Sequence, residues 1–160
     1  IHPLKNQMTM FLEKTQNPNL MERQLNTGYA GRIQLRQLVN DLLNNSLPTA
    51  IQNRSDVVNE VGEGVVLQGI DTKMVKLLNE VIFTVLNNSN RGDIHIRSER
   101  YKDHVELRII DKSNYNGYSL SFSIGAIIPD ASRIGADIML MNHQQREATV
   151  VFSIPGNFAA

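Results

Sequence analysis

Apolar residues in the middle of the chain repeat with the period of a helix buried on one face. Met74, Leu77, Leu78, Val81, Ile82, Val85 and Leu86 follow the i, i+3, i+4, i+7 spacing. Asp71 stands where its carboxylate caps the first turn, so the helix is expected to begin there. The period then changes from 3.6 to 2. Beyond a turn at Gly92, Ile94 and Ile96, then Val105, Leu107 and Ile109, alternate with polar residues as a half-buried antiparallel hairpin does. Asp111 closes the second strand, with its carboxylate at the end of the sheet and near the end of the helix.

Upstream, Leu4, Met8, Phe11 and Leu12 predict a helix over residues 4–16, ended by the turn Q-N-P-N, in which Pro18 disfavours helix at Asn17. A second apolar pattern runs from Leu20 through Leu25, Ile33, Leu35, Leu38, Val39, Leu42 and Leu43, and Pro48 marks its expected end. Such a helix is roughly 40 Å long at 1.5 Å per residue, which suits a hairpin that pairs with another copy. Gly28 and Gly31 weaken its middle, pointing to close helix approach or a bend. Two domains are therefore expected: a dimerising helical hairpin over residues 1–47 and an α/β unit over 48–160. Downstream, S-I-G-A-I-I-P-D-A-S-R-I-G-A predicts a short helix starting near Pro129. Met139 and Met141 read as core residues of a strand rather than as a cofactor site.

Composition narrows the functions. The formal net charge is zero, from 16 basic and 16 acidic residues, so no global field favours nucleic acid or anionic lipid. No cysteine is present, which excludes disulfides and cysteine-ligated zinc and fits a reducing compartment. The four histidines are scattered without H-x-x-x-H spacing, which argues against a metal cage of side chains. No apolar run approaches the ~20 residues that span a bilayer. Because residue 1 is Ile, the chain reads as a piece of a longer protein, with any membrane anchor outside it.

Glu80, Thr84 and Asn88 fall four residues apart and make a polar stripe beside the apolar one. On spacing alone this is a solvated helix face. The order of elements gives it another meaning. Amphipathic helix, Asn, Gly turn, hairpin and terminal Asp111 resemble the nucleotide-binding half of a sensor histidine kinase of two-component signalling. The first residues, I-H-P-L-K-N-Q-M-T-M, are similar to that family's phosphoacceptor motif H-E-[IL]-[KR]-[NT]-P-[LM]-T, with Leu4, Lys5, Asn6, Met8 and Thr9 in agreement. The resemblance covers nearly the whole chain. It implies His2 as phosphoacceptor, Asn88 as the Mg²⁺-binding Asn, Glu80 at the acidic position that opens the helix motif, Arg91 as the nearby cation and Asp111 as the adenine-binding carboxylate. Residues 135–142 and 147–155 then supply the last two strands. The implied fold is a Bergerat α/β sandwich, an antiparallel-rich mixed sheet with helices on one face.

The sequence also departs from that pattern. Pro3 replaces the acidic residue that helps deprotonate the histidine, and Gln7 replaces a proline. After Asp111 the family's D-x-G-x-G becomes D-K-S-N-Y-N-G, the second glycine cluster becomes Y-S-L-S, and no lid separates them. Glycine-poor loops lack the amide nest that cradles phosphate. Residues 47–70 are shorter than the family's equivalent, so an early helix or strand of the sandwich is expected to be missing. The degenerate site implies a chain that holds neither ATP nor Mg²⁺ productively. Three functions remain open: a cytoplasmic dimeric relay or docking module for a response-regulator receiver domain, an active divergent kinase, and a purely structural dimerisation module.

Overall fold

The computed structural model describes residues 31–156. His2, the expected helix over 4–16 and the first part of the expected second helix lie outside the described residues. In chain order the elements are β1 (Arg32–Gln34), α1 (Leu35–Gln52), β2 (Asp56–Asn59), β3 (Val66–Gln68), α2 (Thr72–Asn87), β4 (Asp93–Arg100), β5 (His104–Asp111), α3 (Gly117–Arg133), β6 (Asp137–Met141) and β7 (Ala148–Pro155). The main sheet has the order β2-β4-β5-β7-β6. Its β2–β4 pair is parallel and the others antiparallel, and β1 with β3 forms a separate antiparallel ribbon. The crossover that a parallel pair requires runs through α2.

The central prediction holds residue by residue. Asp71 caps α2 by accepting from the Lys73 amide at 2.8 Å, and all seven apolar residues of the helix stripe are buried. Ile94 and Ile96 face Asp111 and Ile109 across the β4–β5 ladder, so the alternating apolar set points to one side. That side meets the helices. Ile94, Ile96, Leu107, Ile109 and Phe152 form a single core with Leu38, Leu42, Leu78, Ile82 and Ile124. The result is the expected mixed α/β sandwich.

Several expectations are corrected. The residues read as the end of a long helix divide at Gly31, where the chain enters β1, and α1 starts only at Leu35. Helix α1 then continues through Pro48 to Gln52. An interior Pro costs about 3 kcal/mol, but stopping at residue 47 would withdraw Ala50 from the core, where it is 3 % exposed. A domain division at residue 47 therefore falls inside a helix whose Leu35, Leu38, Val39 and Leu42 belong to the sandwich core. Residues 47–70, the stretch read as short, hold the end of α1, then β2 and β3.

The helix expected to start near Pro129 instead starts at Gly117, where the Asn116 side chain accepts from the Ser119 amide at 3.1 Å, and Pro129 lies near its end. Met139 and Met141 are not core. They lie on the open face of the edge strand β6, with Met139 54 % exposed, while Ile138 and Leu140 turn toward the helices. Four consecutive apolar residues fix no face of a strand by themselves, and only the position of the helices decides it.

Candidate functional site

The end of α2, the turn into β4 and the end of β5 converge on Asp111, which is 4 % exposed. Its Oδ1 accepts from the backbone amides of Asp93 at 3.1 Å and Ser113 at 3.0 Å. Oδ2 has no hydrogen bond to a described residue. Gly92 sits directly over this carboxylate. A Cβ added there would meet Asp111 Oδ2 at 3.1 Å, Asp111 Oδ1 at 3.2 Å and Ser89 Cβ at 3.1 Å, so the turn reaches Asp111 because this residue has no side chain.

The turn itself hangs on two buried serines that periodicity did not single out. Ser89 donates its hydroxyl to the Leu86 carbonyl at 2.6 Å, which leaves Ser55, 2.7 Å away, to donate to Ser89. Ser55 in turn accepts from the Gly92 amide at 2.9 Å. Asn53 adds a bond from Nδ2 to the Leu86 carbonyl at 2.9 Å. These contacts satisfy the last turn of α2 with side chains from the α1–β2 connection. Only the return of the chain after α1 brings them there, so no local spacing signals the group.

Asn88 caps the same helix end. Its Nδ2 donates back to the Thr84 carbonyl at 2.8 Å, and its Oδ1 accepts the Ser119 hydroxyl from the first turn of α3 at 2.5 Å. The amide oxygen of Asn88 is therefore engaged by the chain's own hydroxyl. Thr84, in the same polar stripe, is buried rather than solvated.

The loop after Asp111 folds onto a neighbouring loop. Asn114 Nδ2 donates to the carbonyls of His143 and Gln145, both at 2.9 Å, and its amide donates to the Arg146 carbonyl at 2.8 Å. At Gly117 an added Cβ would lie 1.5 Å from the His143 oxygen. The one glycine left in D-K-S-N-Y-N-G thus serves a backbone contact within the protein. Tyr115 projects into solvent, 74 % exposed.

Two sequence candidates stand apart from this group. Glu80 is exposed two turns up α2, roughly 12 Å along the axis from Asn88, and lines a groove with Lys73, Lys76, Leu77, Asp130, Arg133 and Ile134. Arg91 is exposed in the turn, where its backbone takes φ 50° and its amide donates to the Asn53 carbonyl at 2.9 Å. Its guanidinium pairs with no described side chain. Asn88 and Asp111 are thus brought to one end of the sandwich, Arg91 to its rim, and Glu80 to another surface. Among the described residues no group of three or more His, Asp or Glu side chains could hold a metal ion, and no helix is long and apolar enough to cross a membrane.

No family model matches the sequence, and neither does any curated protein. Solved structures do match. The catalytic domain of histidine kinase ThkA is 18 % identical, with a TM-score of 0.58 over 78 % of this chain and 93 % of that one. The mycobacterial sensor histidine kinase MprB is 12 % identical, with a TM-score of 0.51 over 81 % of this chain and 99 % of that one. Histidine kinase AdeS of Acinetobacter baumannii is 16 % identical, with a TM-score of 0.52 over 93 % of this chain and 77 % of that one. At these identities the likeness is one of fold, and the fold of this chain is that of histidine-kinase catalytic domains.

Proposed function

We propose that the chain is a signalling module of a histidine-kinase-like protein whose nucleotide site has degenerated, and that it works by dimerisation and by phosphotransfer with, or docking to, a response-regulator receiver domain in the cytoplasm. The observation that carries the degenerate reading is the Ser119 hydroxyl on Asn88 Oδ1, beside a post-Asp111 loop fastened to residues 143–146. A triphosphate with Mg²⁺ needs a lone pair of that amide oxygen turned to the metal and an amide-lined cradle beside it. Here α3 and the loop take those places. The residues present do not fit the group, and no chemical step is assigned to it.

The relay role is assigned to His2, in the segment ahead of Gly31, where Leu4, Lys5, Asn6, Met8 and Thr9 keep the phosphoacceptor pattern. A phosphoimidazole requires an exposed ring in line with a receiver aspartyl phosphate, whose P–O bond breaks as the N–P bond forms, with the metal supplied by the receiver. Relay can therefore outlast loss of ATP binding. The test of the degenerate site is thermal unfolding of the full chain with millimolar ATP and Mg²⁺. A native-state ligand at 100 times its Kd adds about 2.7 kcal/mol, which is a shift of about 5–10 °C at this size. The expected result is no shift. A rise in Tm abolished by Asn88→Ala would overturn the degenerate reading in favour of an active kinase. Relay is tested separately by acid-labile label passed from a phosphorylated receiver, with His2→Gln as control; label absent from the wild type, or equal in the variant, leaves only the structural module.

A further inference from the structure

The main sheet ends at β2, and no described strand pairs with its outer edge. In a parallel ladder, alternate residues turn their backbone groups toward the neighbouring strand. The Asp56 amide donates to the Gly92 carbonyl at 2.9 Å and the Glu60 amide to the Ile96 carbonyl at 2.8 Å, so Asp56, Val58 and Glu60 face β4. Val57 and Asn59 therefore face outward. Their backbone N–H and C=O groups have no partner among the described residues. Four such groups in a row at a sheet edge are a template for another extended chain.

Beside that edge runs a groove of about 790 Å³ between β2 and α1. Its helix wall is Leu43, Leu47 and Ile51, a stripe at i, i+4 and i+8 next to the core stripe of α1 and only half-buried. Val57 points to the same side, packed against the core. At one end the Asn59 side chain donates to the Arg36 carbonyl at 3.0 Å and to Asn40 Oδ1 at 2.7 Å, which ties strand to helix and fixes the width of the groove. At the other end the charged residues that line it are Asp56 and Asp93, both acidic. Asp93 is bonded to His95 at 2.8 Å, while the Asp56 carboxylate has no partner among the described residues. Val58, on the opposite face of β2, is 46 % exposed.

We propose that this edge binds an extended peptide segment of a partner protein, added antiparallel to β2 as a sixth strand, with apolar side chains toward α1 at alternate positions and a Lys or Arg opposite Asp56. Main-chain hydrogen bonds supply affinity in such strand addition, and the sites for alternate side chains supply specificity. The added residues opposite Asn59 and Val57 exchange hydrogen bonds with them and send their side chains to the helix wall. Those opposite Val58 and Asp56 turn their amides away from β2 and their side chains to the other face. A cation there meets the unpaired Asp56, and a carboxylate in its place is repelled, so charge selects among strands of equal shape. This role is independent of any nucleotide or phosphotransfer role.

The test uses the full chain and the peptide acetyl-Val-Thr-Val-Lys-Val-amide, whose first residue is meant to lie opposite Asn59 and whose lysine opposite Asp56. Titrated to millimolar concentration, it should shift the amide resonances of Val57 and Asn59 and the methyl resonances of Leu43, Leu47 and Ile51. N-methylation at the first and third residues removes the two donors aimed at β2 and should weaken binding about tenfold or more, whereas N-methylation at the second and fourth should change it less than about threefold. That alternation reads main-chain pairing and leaves the protein itself unaltered, so no effect can be put down to unfolding. Glu in place of the peptide's lysine should weaken binding, and Asp56→Lys, at an exposed position, should reverse the preference. No shift at millimolar peptide overturns the proposal. So do shifts centred on another surface such as β6 or α3, equal losses from the two methylation patterns, as a small-molecule or side-chain site would give, and a preference for lysine that Asp56→Lys leaves in place.

Discussion

Asp111 is the residue at which a structural role and the proposed ligand role can be separated by energy. Replacing it with Ala removes the acceptor for the amides of Asp93 and Ser113, at 3.1 and 3.0 Å. A buried amide left without a partner costs about 1–3 kcal/mol. Both of these bonds are part-buried, so the lower half of that range applies, about 1.5 kcal/mol each and about 3 kcal/mol together. Asp111→Asn keeps an acceptor oxygen and loses the charge, which reduces each bond from the strength of a charged pair to that of a neutral one, about 1–2 kcal/mol in all. At about 2–4 °C per kcal/mol for a chain of this size, the Ala variant should melt about 6–12 °C lower and the Asn variant about 2–8 °C lower. Urea titration followed by far-ultraviolet circular dichroism measures both differences, and an unchanged m value verifies that the same surface unfolds. An Ala variant within 1 kcal/mol of wild type would refute the reasoning, since Asp111 would then hold no part of the β4 entry. An Asn variant as costly as Ala would refute it too, because the loss would come from charge alone. If both values hold, Asp111 persists for the fold whether or not any nucleotide binds.

Two further substitutions probe the correction at α1 and the charge pattern on the open sheet face. Leu38 is 0 % exposed, so Leu38→Ala should cost about 2–5 kcal/mol in the single transition of the sandwich; a loss below 1 kcal/mol would return α1 to a separate hairpin. The carboxyl of Glu60 is held below its usual range chiefly by the bond from His95 at 2.6 Å, against a smaller upward effect of burial and with further help from Arg97. A lowered value means that this stability is present above about pH 4.5, the ordinary value, and is lost as pH falls through the folded one. Thermal melts from pH 7 to 3 should therefore show a shallower acid decline for Glu60→Gln than for wild type, and parallel curves would rule the contact out as a contributor.

What the sequence determined by itself is the middle of the domain. Met74 through Leu86 repeat every 3.6 residues, Asp71 caps, and Ile94 through Ile109 alternate, so period and cap agree on each element and tertiary packing had only to accept them. The pair Asn88 and Asp111 was legible for the same reason, because both sit at the ends of strongly patterned elements. Other features were decided by the tertiary structure. Leu35 through Ala50 and the run from Leu120 through Ala131 carry prolines that read locally as boundaries, yet both helices continue past them because the buried face on the far side of each proline is worth more than one missing hydrogen bond. Met139 and Met141 could have faced either way, and the helices on one side of the sheet chose. The contacts that set the chemistry of the candidate site, Ser119 on Asn88, Ser55 on Ser89 and Gly117 against His143, join residues 26 to 34 positions apart. Such contacts leave no periodic trace in a sequence, since only chain closure brings their partners together.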